Sequence, residues 1–205
     1  MTVARPDRKN DILQALARML EANPGGKVTT ASLAKEIGLS EAALYRHFPS
    51  KARMIEGLIE FAEETLFSRI TLIRQEQPTA EARCHDILFL LLTFVERNPG
   101  FARLFVGDAL QGETERLRMR TSQLMDRIET EIRQILREHL LAANPLPGAS
   151  HHPGANLFMA FAEGRILQFA RTNFRAKPTA DWAEVWPVLS EAVFTNLQAF
   201  QTQNS

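Results

Sequence analysis

Tyr45, Arg46 and His47 stand side by side, and Lys51 follows close behind. A phenol, a guanidinium, an imidazole and an ammonium group all donate hydrogen bonds to oxyanions, and a line of phosphates suits such a set. Just ahead lie Ser40, Glu41, Ala42 and Ala43, whose side chains are small or short. Short side chains let a helix sit deep in a major groove about 12 Å wide, and alanine can touch a thymine methyl. Thr29 and Thr30 add hydroxyls a little upstream. The chemistry this stretch can do is to hold and read double-stranded DNA. The alternative is a three-helix packing unit with no nucleic-acid role.

The elements that must position these groups are legible around them. Thr30 is expected to cap a short helix whose Leu33, Ala34 and Ile37 form one stripe. Gly38 stops it, because glycine enters the left-handed region without steric cost. Ser40 caps the next helix, with Leu44 and Phe48 turned into the core. Two short helices around a glycine turn make a helix-turn-helix, and the second would enter the groove.

The chain has 205 residues, 45% of them hydrophobic, which suffices for a core. A single cysteine, Cys84, rules out an intramolecular disulfide and a cysteine-based zinc site, and fits a reducing cytoplasm. The first residues lack the apolar segment of a signal peptide, and the longest apolar run, Ile87 to Val95, is too short to span a membrane. The net charge is zero, but residues 1–53 carry nine Lys/Arg against five Asp/Glu, and the remainder fifteen against nineteen. A basic head on an acidic body suits binding nucleic acid at one end.

In order, Arg5, Arg8 and Lys9 read either as a DNA-following arm or as a solvated start. Asp7 or Asn10 caps a helix bearing Ile12, Leu13, Leu16, Met19 and Leu20, which Asn23-Pro24-Gly25-Gly26 ends. Ser50 caps a helix running from Lys51 to about Arg74, long enough to join head to body without a flexible linker. Thr79 caps a helix over Ala80–Asn98, apolar on most sides and so central. Asn98-Pro99-Gly100 ends it; a short apolar helix over Phe101 to Ala109, a break at Gly112 and a long amphipathic helix over Glu113 to Leu141 follow. Ala142 to Gly154 reads as a loop. Two last helices span Gly154 to Phe174 and Asp181 to about Gln201, and Pro187 requires the latter to begin near it or to kink. The expected fold is all-α, about nine helices: a helix-turn-helix domain over residues 1–50 on a helical bundle over 51–205.

No phosphate-binding glycine loop, HExxH or GxSxG occurs, so an enzyme is a poor reading, and no cofactor or metal is expected. His151-His152 reads as a solvated loop, its adjacent rings pointing apart. Cys84 reads as a small buried apolar group, and Glu96 and Arg97 as surface charges.

The run GLSEAALYRHFPSK resembles the signature of the TetR family of dimeric DNA-binding proteins. SEAALYRHFPSKARMIEGLIEFAEE and LLTFVERNPG further resemble a branch of that family that inhibits bacterial division over the nucleoid. The resemblance implies a cytoplasmic, nucleoid-associated homodimer on palindromic sites, with room for more than one dimer per site. It implies DNA contacts from Thr29, Thr30, Ser40, Ala42, Ala43, Tyr45, Arg46, His47 and Lys51. It also implies a surface for the tubulin-like division protein FtsZ made by Phe61, Arg69, Leu90, Arg97 and Asn98, with Thr93 where the branch has glycine. The last two helices would pair with their copies through Phe158, Phe161, Trp182, Trp186 and Leu189. A ligand-responsive repressor, with a small molecule inside the C-terminal bundle, is the alternative.

Overall fold

The computed structural model describes residues 8–22, 28–110, 114–142 and 150–202, with side chains as far as residue 195. The expectations for Arg5, Asp7, the Asn23–Gly26 break, Gly112 and the middle of the 142–154 loop lie outside the described residues. Among the described residues the structure is all-α: α1 (Arg8–Ala22), α2 (Thr30–Glu36), α3 (Glu41–His47), α4 (Lys51–Glu76), α5 (Ala80–Arg97), α6 (Pro99–Phe105), a 3-10 turn (Asp108–Leu110), α7 (Glu115–Ala142), α8 (His152–Arg171) and α9 (Trp182–Thr202).

Helix starts follow the capping chemistry closely. Ser40, Ser50 and Thr79 each accept a hydrogen bond from the backbone N–H three residues on, at 3.2, 3.2 and 3.1 Å. Each such cap contributes about 1 kcal/mol. The cap of α2 is Thr29 rather than Thr30: Thr29 is extended, and it exchanges reciprocal bonds with Ser32 in a capping box. Thr30 is thereby the first helical residue, and its hydroxyl is released for other partners. Gly38 does end this segment in the left-handed region, at φ 67°. Asn10 lies inside α1 and does not cap it.

α5 is the central rod. Cys84, Ile87, Leu88, Leu91, Leu92, Phe94 and Val95 are buried on it, and α4, α6, α7, α8 and α9 all pack against it. Burial pushes the Cys84 thiol up to about 12, so it behaves as an apolar group. The head is not an appendage. α1 lies on α4 and most extensively on α6, where a side chain on Gly100 would come within 2.2 Å of the Ala17 carbonyl oxygen. Only glycine permits that approach, so Gly100 sits inside α6 for packing, not as a terminator.

α9 keeps the expected bounds to within a residue, with Pro187 in its second turn. His152 opens α8 as its first residue, and the His151 and His152 rings lie together, 4.5 Å apart, instead of diverging. None of the described helices is long and apolar enough to cross a membrane.

Candidate nucleic-acid and partner interfaces

Helix α3 is held by one buried anchor, Leu44, with Phe48 behind it. That leaves Ser40, Glu41, Ala42, Tyr45 and Arg46 exposed on one side, and Ala43 and His47 half-buried beside them. Tyr45 O–H donates to Thr30 Oγ1 at 3.2 Å, and Thr30 in turn donates to Glu41 Oε2 at 2.9 Å. This relay ties α2 to α3 across the turn and fixes the Tyr45 ring, which stays 43% exposed. Thr29 and Ser40 have their hydroxyls engaged as caps. The polar groups this face presents are therefore chiefly Arg46, His47 and the phenol edge, and Lys51 lies on the first turn of α4. The small residues Ala42 and Ala43 stand where the helix would meet a groove floor.

A second constellation lies where head meets body. Phe61, Arg97 and Asn98 come together around a cleft of about 270 Å³, closed below by Leu58, Gly100 and Phe101 and on its far side by Leu13, Ala17 and Arg18 of α1. Phe61 is 41% exposed, its ring 6.1 Å from that of Phe101, which packs edge-on against Phe94 at 4.9 Å. Asn98 donates through Nδ2 to the Phe94 carbonyl at 2.7 Å, which leaves its side-chain oxygen unused by the α6 cap. Arg97 is exposed and forms no ion pair among the described residues, and the same holds for Arg69, on α4 beyond Phe61. Leu90 is half-buried on the face of α5 that carries Arg97 two turns later. Arg69 and Leu90 do not line the cleft. Thr93, between Leu90 and Arg97 on α5, has a buried hydroxyl without a hydrogen-bond partner.

The aromatic residues of α8 and α9 are largely taken up within the protomer. Phe158 is wholly buried, and Trp182 and Leu189 are each 8% exposed, so most of their area is spent inside the protomer. Trp182 and Trp186 stack at 5.6 Å, and Trp186 stacks on Phe158 at 5.6 Å. Trp182 Nε1–H donates to His85 Nε2 at 2.8 Å, which places the His85 proton on Nδ1, directed to Asp86 at 2.8 Å. Phe161 and Trp186 are half-buried. The apolar groups these helices leave outside are Leu157, Leu167 and Val188, the last 70% exposed.

Sequence reasoning missed the polar seams. Glu96, read as a surface charge, accepts bonds from the Thr179 hydroxyl, the Thr179 N–H and Lys177, and so clamps the α8–α9 connection to the end of α5. Burial works to raise its pKa, but these bonds outweigh it and hold the carboxyl below its ordinary value. Along α4, the nearly buried Glu56 takes Arg53 and Arg116, Glu63 takes Arg120 and Arg127, and Arg74 takes Glu131 and Glu138, welding α4 to α7. Apart from Arg53, which reaches Glu56 one turn along α4, the partners are 57 to 64 residues apart, so nothing local announces them.

Residues 12–58 match the family model described as bacterial regulatory proteins, tetR family, and residues 79–194 match the SlmA-like form of the tetracyclin repressor-like C-terminal domain. Among solved structures, the transcriptional regulator FadR from Bacillus subtilis, in complex with stearoyl-CoA, shares the fold with a TM-score of 0.75 at 14% identity, over 88% of this chain and 96% of that one. A nucleoid occlusion factor SlmA from Marinomonas sp. (strain MWYL1) is 52% identical over 196 residues, covering 96% of this chain and 100% of the relative. Another from Shewanella baltica (strain OS155 / ATCC BAA-1091) is 57% identical over 180 residues, 88% of this chain and 91% of the relative. The chain belongs to the TetR family of DNA-binding regulators and, within it, to the nucleoid occlusion factors SlmA.

Proposed function

We propose that this chain is a dimeric DNA-binding protein of the nucleoid that, when bound to palindromic sites, engages FtsZ and prevents septum assembly over the chromosome. Residues 1–50 read the DNA and residues 51–205 dimerise and take the partner. The observation that carries the reading is the cleft at Phe61, Arg97 and Asn98, because one of its walls is α1 of the DNA-binding head. Whatever repositions the head on DNA also acts on the partner surface, which gives DNA binding a physical route to the second activity. An acidic, apolar-tipped tail such as that of FtsZ suits the site: Phe61 and Leu90 offer apolar contact, and Arg69 and Arg97 offer forked donors for carboxylates.

The two-fold interface in this reading is the outer face of α8 and α9, with Leu157, Phe161, Leu167, Trp186 and Val188 against their copies, and Phe158, Trp182 and Leu189 supporting them from behind. Arg46, His47, Tyr45 and Lys51 hold phosphates, while Ala42 and Ala43 face bases. One observation favours the ligand-responsive alternative: a cleft of about 590 Å³ between α6, α7 and α8, with Met125 and Ile166 beside Asp126 and Glu163.

Charge reversal separates the two surfaces. Arg69→Asp and Arg97→Asp are expected to keep fold, dimer and DNA affinity by anisotropy, and to weaken FtsZ binding about tenfold or more, since attraction becomes repulsion. Unchanged FtsZ binding in both variants would move the partner site elsewhere.

A further inference from the structure

The C-terminal half of α7 and the start of α8 enclose an open cleft of about 460 Å³ that neither interface uses. Thr130, Arg133, Gln134, Arg137, His151 and His152 line it, with no carboxylate among them. Arg133 and Arg137 are one helical turn apart. Arg133 gives one terminal N–H to Glu129 at 2.6 Å, but its Nε–H is buried and has no partner. Leaving such a donor unpaired is unfavourable, and the exposed part of the Arg133 guanidinium is what the cleft presents to an acceptor. Arg137 is exposed and pairs with no carboxylate among the described residues. The His151 and His152 rings lie 4.5 Å apart with no acid bound to either. His151 is the N-cap of the 20-residue α8 and gives no side-chain bond to its first N–H groups; the His152 N–H has only a long 3.4 Å bond to Ser150 Oγ. The positive end of the helix dipole thus opens beside four basic side chains.

We propose that this cleft binds a phosphate-class oxyanion, held by the Arg133 and Arg137 guanidiniums and the His151–His152 pair. Guanidinium forks match two oxygens of a tetrahedral oxyanion at once, and each imidazole adds a donor when protonated. The site is separate from the DNA footprint. Glu131 and Glu138 of the same stretch of α7 bind Arg74, near the end of α4 remote from Lys51 and about 35 Å along that helix from it. The charged groups facing the histidines are Arg133 and Arg137. Glu129 is held by Arg133, and Glu138 is held by Gln134 and Arg74. Burial first, and then the positive charge of His152, Arg137 and Arg133, lowers the His151 pKa, so a bound anion must raise it again. Affinity therefore rises as pH falls and the bound anion draws a proton onto His151.

A soluble phosphate ester and a phospholipid headgroup share this chemistry, so the test has two arms. In the first, inorganic pyrophosphate is titrated into the full chain by calorimetry. Saturable binding is expected, tighter at the lower pH and weakened about tenfold by Arg137→Ala and by His152→Ala. Both replaced side chains are exposed, so fold and specific DNA affinity are expected to persist, and Arg46→Ala in the head is expected to leave pyrophosphate binding unchanged. In the second, the chain is sedimented with phosphatidylcholine vesicles with or without phosphatidylglycerol. Pelleting that needs phosphatidylglycerol and is lost in Arg137→Ala assigns the site to a headgroup; its absence, with pyrophosphate bound, assigns it to a soluble anion. Pyrophosphate binding that both variants leave intact, or no binding in either arm, overturns the proposal.

Discussion

Glu96 illustrates how much a single side chain does here beyond its charge. Its carboxylate holds Thr179 and Lys177, and its pKa is depressed. A depressed acid contributes stability that is complete above its unfolded value, about 4.3, and is lost as pH falls through the lower folded value. Glu96→Gln is therefore expected to lower the thermal midpoint near neutrality by roughly 3 °C, with the gap closing in acid. Calorimetric melts at several pH values check this, and a pH-independent gap would mean that the clamp acts by shape alone. On the DNA side, Lys51→Ala should weaken all DNA sites alike and flatten the salt dependence by about one unit. Ala43→Leu should instead damage specific sites, since a larger side chain lifts α3 off the groove floor. If both variants bind the specific site like the parent, α3 is not the reading helix.

At the scale of elements, the amphipathic stripes and capping hydroxyls made most of the architecture legible. Ser40, Ser50, Thr79 and Gly38 act as their types and spacing imply, because capping is local chemistry. The Thr29 cap was displaced by one residue because Ser32 completes a box that two adjacent threonines alone do not reveal. What could not be read was pairing between distant elements. The α4–α7 ion pairs and the Gly100–Ala17 approach join residues far apart in the chain, and a glycine after Asn-Pro looks like a stop whether or not another helix lies on it. The cleft was half-legible: the resemblance supplied Phe61, Arg97 and Asn98, but α1 as its wall came only from the fold. Gly100→Ala must push α1 off α6, because the obstacle is backbone. Overpacking of this kind costs about 1–3 kcal/mol. Chemical denaturation should show that loss, and a variant as stable as the parent would mean the two helices are not in close contact.

For the whole molecule, the exposed apolar groups of α8 and α9 bear on assembly. Val188→Asp changes a side chain outside the protomer core, so the variant is expected to fold yet sediment as a monomer with weakened specific DNA binding. A folded dimer would place the interface elsewhere. Trp186→Asp is a poorer probe, since Trp186 also stacks on Phe158 and Trp182 and its loss would disturb the fold.

In the proposed function α1 belongs to the DNA-reading head and also walls the cleft that takes the partner, so the two activities should be coupled. The most direct measurement is FtsZ polymer disassembly by the parent protein, with a DNA fragment it binds specifically and with a scrambled fragment of equal length. The account predicts disassembly at markedly lower protein concentration with the specific fragment, and no such gain in the Arg97→Asp variant. Equal potency with both fragments would contradict the coupling and leave the ligand-responsive regulator as the better reading.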